Sequence, residues 1–144
     1  MEKPTLTLMV GLPYSGKTTQ ALKLGIPIVS PDAVRLALHG QRFLQEAEFL
    51  VWPMCLLMVK ALFAAGHTHI VIDATNNTVK RRQFWADAGD WAVQYRIVDT
   101  PEKLCIQRAQ QADDLDIVPI ICRMASGHEP VTADEEMAGR ALSL

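Results

Sequence analysis

Short β-branched runs alternate along this chain with longer stretches in which apolar residues recur every three or four positions. The runs at 5–10, 27–29, 69–73 and 93–98 predict strands. The helical periods fall at 17–24, 32–39, within 43–65, at 79–88, 102–111 and 119–126, with a last short helix from Ala133. Strands regularly separated by helices imply parallel pairing, because a parallel crossover needs a helix-length return. The predicted class is α/β: a three-layer α/β/α arrangement around a mostly parallel sheet.

Local chemistry marks several helix ends. Ser30 before Pro31 reads as an N-cap followed by proline at the first helical position, which puts Asp32 and Arg35 in the opening turn. Thr100-Pro101 repeats the device, and Thr132-Ala133-Asp134-Glu135 has the spacing of a capping box. In the long helix, Phe49, Trp52, Leu56, Val59 and Phe63 recur at spacings of three and four, a stripe read as core rather than as the lining of a base pocket. Pro53 inside that pattern predicts a kink or a restart, since it has no N–H to donate.

One strand-to-helix junction carries chemistry. Gly11-Leu12-Pro13-Tyr14-Ser15-Gly16-Lys17-Thr18 fulfils the phosphate-binding pattern Gly-x-x-x-x-Gly-Lys-Ser/Thr between the first strand and the first helix. Gly11 and Gly16 permit dihedrals and a close approach that a Cβ would block. Backbone N–H groups and the positive end of the helix dipole then face the anion. Gly11, Pro13, Tyr14, Ser15, Gly16, Lys17, Thr18 and Thr19 are the predicted nucleotide-binding residues. Lys17 supplies a movable cation for the β- and γ-phosphates, and the Thr18 hydroxyl is a ligand for Mg²⁺.

Composition sets bounds. The 144 residues fit one domain, 1–144, and 49% hydrophobic content suits a globular core. No apolar run is read as approaching the roughly 18 residues that span a membrane, and Met1-Glu2-Lys3-Pro4 leads straight into the first strand, so neither membrane nor leader is expected. Cys55, Cys105 and Cys122 offer no complete disulfide framework, which favours reduced thiols and a cytoplasmic setting. The net charge of −2 is uneven: residues 1–110 carry 12 Lys/Arg against 9 Asp/Glu, and residues 111–144 carry 2 against 7. Any nucleic acid must therefore bind at a local site on the first three quarters of the chain.

Further candidates lie at the carboxyl edge of the predicted sheet, where parallel-sheet proteins place ligands. Asp32 and Arg35, three apart, share a helix face. They suit either an acceptor site, with the carboxylate taking a hydroxyl proton and the guanidinium fork holding an anion, or a plain surface ion pair. Asp73, ending the apolar run His69-Ile70-Val71-Ile72, is read as facing Mg²⁺ or the loop hydroxyl and the acceptor. Arg81 and Arg82 are read as solvated or phosphate-steering. His67 and His69 lack a third ligand and are not read as a metal site.

Taken in order, Gly-x-Pro-x-Ser-Gly-Lys-Thr, Ser-x-Asp-x-x-Arg, the strand ending Asp-Ala-Thr-Asn, Arg-Arg, Val-Asp-Thr-Pro, Arg108 and Val118-Pro119 resemble the 5′-hydroxyl kinase domain of phage polynucleotide kinases and their P-loop relatives, over residues 5 to 126. The resemblance implies ATP-dependent phosphoryl transfer to a polynucleotide 5′ end or to a small hydroxylated acceptor. Lys17 and Thr18 would serve ATP and Mg²⁺, Asp32 would be the general base, Arg35 would hold the acceptor phosphate, and Asp73 would be an active-site carboxylate. It also implies a helical lid at about 105–125. Tyr14 stands where the phage enzyme has glycine. The second lid arginine is replaced by the segment Gln110-Gln111-Ala112-Asp113-Asp114, so either Arg108 or Arg123 supplies the cation, or activity is low.

Overall fold

The computed structural model describes residues 2–143, with side chains through Ala138. Four strands, β1 (Thr5–Val10), β2 (Ile28–Val29), β3 (His69–Ile72) and β4 (Ala92–Ile97), form one parallel sheet in the order β2-β3-β1-β4. The helices are α1 (Lys17–Lys23), α2 (Pro31–His39), α3 (Glu48–Ala64), α4 (Val79–Asp87), α5 (Glu102–Gln111), α6 (Val118–Ser126) and α7 (Ala133–Ser143). Single 3-10 turns precede α3 and α6. The α/β class is the predicted one. Because β1 has β3 on one side and β4 on the other, the strand order reverses beside the carboxyl end of β1, the place where open α/β sheets bind their ligands.

The period-2 alternation of β1 divides the core. Leu6 and Leu8 join Ile70, Ile72 and Val93 beneath α3 and α4, whereas Met9 joins Val71, Val98 and Ala21 of α1 on the other face. A third cluster, Cys105, Ala109, Ile117 and Ile121, ties α5 to α6 and takes Leu12 and Tyr14 of the loop against it. Each fully buried aliphatic side chain here contributes about 1.5–3 kcal/mol. The loop is thereby seated on hydrophobic packing on its lid side.

Several local expectations need correction. The core stripe of α3 is Val51, Cys55 and Val59, with Trp52, Leu56 and Phe63 partly buried, while Phe49 is 72% exposed. Because α3 is apolar nearly all round, spacing alone could not choose its buried face. The helix also runs through Pro53 unbroken. Pro53 lies on the exposed side, where water can satisfy the carbonyl left without its donor. Contrary to the sequence reading, 45–64 is long and apolar enough to cross a membrane by length and composition, with a mean hydropathy of 1.7. In this fold it is the crossover helix between β2 and β3. Thr100 does not cap α5: Pro101 is the N-cap residue, and the Thr100 hydroxyl donates instead to the Ser15 carbonyl, at 2.7 Å.

The Ser30 cap and the Thr132–Glu135 capping box form as expected. The three cysteines are free. His69 pairs with Thr7 at 2.6 Å, and among the described residues no group of three His, Cys, Asp or Glu is placed to hold a metal.

Arg82 is a structural clasp rather than a phosphate-steering group. Fully buried, it donates to both Glu135 oxygens and to the carbonyls of Asn76 and Pro130, tying α4 and the β3–α4 loop to the start of α7. Removing one partner of such a pair strands the other, so Arg82→Ala is expected to cost about 3–5 kcal/mol. Chemical denaturation should report this as a lower midpoint with the same m-value.

Candidate active site

The loop between β1 and α1 is held open from three sides. The Gly11 N–H donates to the Thr75 carbonyl at 3.2 Å, Thr100 donates to Ser15, and Arg108 of α5 reaches the Tyr14 carbonyl at 3.1 Å. A Cβ on Gly11 would come within 2.8 Å of Ser15 Oγ and 2.9 Å of the Val98 carbonyl oxygen, so only glycine fits. Gly16 stands at φ +95° and caps α1 with no side-chain bond. The first-turn amides of α1 have no intrahelical acceptor, which leaves them available for an anion.

Tyr14 adopts φ +65°. A tyrosine in this left-handed region is strained by about 1–2 kcal/mol, a cost glycine would not carry. Its phenol offsets the strain by donating to Asp114 at 2.8 Å. Asp114 also receives Arg42 in a bidentate pair, at 2.9 and 2.6 Å. These two donors hold the Asp114 carboxyl down at about 2. Asp114, just beyond α5, thus fastens the α5–α6 connection to the loop and to the α2–α3 connection.

Thr18 and Asp73 meet as the sequence anticipated: the Thr18 hydroxyl donates to Asp73 Oδ2 at 2.7 Å. Asp73 is buried, and its Oδ1 has no partner. Next to them burial pushes the Lys17 ammonium below its ordinary value, opposed by the charges of Asp73 and then Asp32. Lys17, Thr18, Asp73 and Asp32 therefore share one electrostatic site. Asp32, at the entrance to α2, has a side chain 78% exposed and accepts from Arg35 Nη1 at 2.7 Å.

Arg35 is held by two carboxylates: Nη1 donates to Asp32, and Nε and Nη2 donate to Glu48 of α3. Each terminal nitrogen keeps one N–H beyond these contacts. Of the two lid cations, Arg108 reaches the loop, and Arg123 is exposed on α6.

Sequence reasoning missed Glu48, Arg42, Asp114 as an acceptor, Thr100 as a loop brace, and Asn76, whose buried amide donates to the Met9 carbonyl at 2.7 Å. The Asp-Ala-Thr-Asn run pointed to Asn76, Val-Asp-Thr-Pro to Thr100 and the acidic segment to Asp114, while nothing in the sequence singled out Glu48 or Arg42.

A family model described as an AAA domain matches residues 6–115, well over half of the chain. A chain of a Pnkp1/Rnl/Hen1 complex superposes with a TM-score of 0.68 at 26% identity, over 75% of this chain and 40% of its own length. A chain of the Pnkp1/Rnl/Hen1 RNA repair complex gives 0.69 at 20% identity, over 90% and 47%. This chain therefore spans less than half of either. The APS kinase CysC of Mycobacterium tuberculosis, in complex with AMPPNP and APS, gives 0.57 at 18% identity, over 99% and 97%. No curated protein matches. With a braced phosphate loop at the reversal point of a parallel sheet and this match over its length, the chain belongs to the AAA_33 family of P-loop kinase domains.

Proposed function

We propose that this protein transfers the γ-phosphoryl group of ATP to a hydroxyl acceptor, and that the acceptor is the 5′-OH of a polynucleotide. The observation that carries the reading is the convergence of Lys17, Thr18, Asp73 and Asp32: Thr18 donates to Asp73, and both carboxylates act on the Lys17 charge. Lys17 and the loop amides hold the β- and γ-phosphates, Asp32 accepts the proton of the attacking hydroxyl, and Arg108 neutralises charge on the phosphoryl group in transit. Residues 1–144 act as one kinase domain, with a lid at about 105–125. The three free thiols suit a reducing, cytoplasmic setting.

Mg²⁺ fits the site. Asp73 presents a buried carboxylate oxygen without a partner beside the Thr18 hydroxyl, a hard oxygen donor pair of the kind this ion takes while keeping several waters. Thr18 and Asp73 would hold it, and it would neutralise charge on the β- and γ-phosphates.

Similarity to chains from an RNA repair complex supports a polynucleotide acceptor. A small hydroxylated metabolite is the second reading, favoured by the slight negative charge of the chain and by likeness of fold to a gluconokinase, TM-score 0.61, and to the APS kinase. Radiolabelled ATP offered with 5′-hydroxyl oligonucleotides, a nucleoside 3′-phosphate and a panel of hydroxylated metabolites separates the two. Label on the oligonucleotide is the expected result, and label on a metabolite alone overturns the acceptor assignment. Absence of transfer to any of them would leave a nucleotide-binding module with little turnover.

Arg108→Ala should depress kcat and kcat/KM together, by about 10²- to 10³-fold, while equilibrium ATP binding changes little. If Arg123→Ala instead abolishes turnover and Arg108→Ala is silent, the second lid helix supplies the cation.

A further inference from the structure

Helix α3 carries more apolar surface than the fold covers. Only Val51, Cys55 and Val59 of its 17 residues are buried, whereas Phe49, Leu50, Met54, Leu57 and Met58 are exposed, Leu57 by 69%. Single exposed apolar side chains are ordinary on a protein surface, but a group of large ones on the outward side of one helix marks a place of contact. Their order is regular. Leu50, Met54, Leu57, Ala61 and Ala64 recur at spacings of four, three, four and three residues, the period of a seam along which two helices pack. Between Phe49 and Ala64 the only charged residue is Lys60.

The sizes of the side chains along that seam select the partner. Large residues, Leu50 and Met54, occupy its first half, and small ones, Ala61 and Ala64, its second. Laid antiparallel on a second copy about a two-fold axis at Leu57, the seam meets its own complement: Leu50 comes level with Ala64 of the second copy, Met54 with its Ala61, and Leu57 with its Leu57. A parallel pair would set Leu50 on Leu50 and Ala64 on Ala64, crowded at one end and empty at the other. Antiparallel packing also sets the positive end of each helix dipole beside the negative end of the other. Lys60 falls on the flank of the seam, where its stem covers Pro53 of the second copy and its ammonium stays in water. The area reaches what a dimer needs. A helix of 17 residues is about 25 Å long and about 10 Å across, so one face covers on the order of 500 Å² per chain and about 1,000 Å² for the pair, where specific interfaces begin. A lipid surface is the poorer match, because helices that lie in a bilayer interface carry a polar face rich in lysine and arginine, and this chain has a net charge of −2.

We propose that the outward face of α3 is the interface of a homodimer, in which two copies of this chain pair antiparallel with Leu57 on the two-fold axis. The pairing covers the apolar surface that the fold leaves in water. It uses no residue of the phosphate loop and stands apart from the kinase reading.

Sedimentation equilibrium over about 1–100 μM protein should show monomer passing to dimer, with a dissociation constant in the micromolar range. Leu57→Glu and Leu57→Lys change an exposed position, and each should be monomeric at all these concentrations because like charges meet at the axis. Mixed in equal amounts, the two should dimerise again, a rescue that a folding defect would not show. Orientation is read by mixing Leu50→Cys with Ala64→Cys under mild oxidation by copper phenanthroline and mapping the disulfides by mass spectrometry, which separates them from any link through Cys122. Links between positions 50 and 64 are expected, since in the antiparallel pair the two residues at position 50 stand about 20 Å apart, beyond the reach of a disulfide. The proposal is wrong if the wild type is monomeric throughout, if Leu57→Glu still dimerises, or if links between two residues at position 50 predominate. A monomeric wild type that floats with phosphatidylglycerol vesicles would overturn it in favour of a lipid surface.

Discussion

Lys17→Ala is expected to lower phosphoryl transfer by about 10²- to 10³-fold or more and to leave the protein folded. The ammonium serves charge that develops between the β- and γ-phosphates, where a preorganised cation in a water-poor site is worth several kcal/mol. It contributes little to the fold: burial lowers its pKa, so the charged form is less favoured in the folded chain than in the unfolded one. The sign follows from that direction. Stability is reduced below the folded pKa and recovers as pH rises through it towards the ordinary lysine value, so removal of the charge is not expected to destabilise the protein at neutral pH. Nucleotide phosphates raise the pKa again. ATP binding by the wild type should therefore take up a proton and weaken as pH climbs into the lysine range, a dependence that Lys17→Ala should lack. Calorimetry in buffers of different ionisation enthalpy measures it. Turnover retained in the variant would remove the phosphate-loop mechanism.

Asp32→Asn is expected to reduce kcat by about 10²- to 10⁴-fold, the usual worth of a positioned general base, with ATP affinity nearly unchanged. The fold has little stake in this carboxylate. Its side chain is mostly exposed, and its structural partners are Arg35 and the start of α2, where an acidic residue adds about 0.3–1 kcal/mol. Asparagine can still accept from Arg35 Nη1, so the positioning contact survives and the proton acceptor is lost. Single-turnover transfer measured beside a thermal melt separates the two roles. A rate equal to wild type would make Asp32 a surface partner of Arg35 and nothing more.

The two substitutions probe parts of the site that differed in how readable they were. The loop at Gly11–Thr18 was legible because phosphate binding there is a property of contiguous backbone: two glycines, a helix start and a lysine act within eight residues. Asp73 was legible because an apolar strand must end at the sheet edge, and β1 and β3 are adjacent, which brings Thr18 to it. The α/β class followed from periodicity, since alternating periods of 2 and 3.6 admit few other packings.

Choice among long-range partners lay outside that local information. Arg35 had a carboxylate three residues away in the sequence, yet folding adds Glu48 from the next helix as a second one. Asp113 and Asp114 read as acid in place of a missing arginine, and only the approach of α5 to the loop makes Asp114 the acceptor of both Tyr14 and Arg42, 100 and 72 residues away. Two adjacent arginines, alike in sequence, take opposite environments. Arg82 points into the fold and is satisfied by Glu135, and Arg81, one position earlier on α4, faces Trp52 with its donors free. Sequence by itself determined the elements, the sheet and the phosphate cradle, because these depend on backbone dihedrals and the period of apolar residues. Tertiary structure alone decided which charged groups pair with which, because a charged side chain is paired by whatever the packing of distant elements brings within about 3 Å of it.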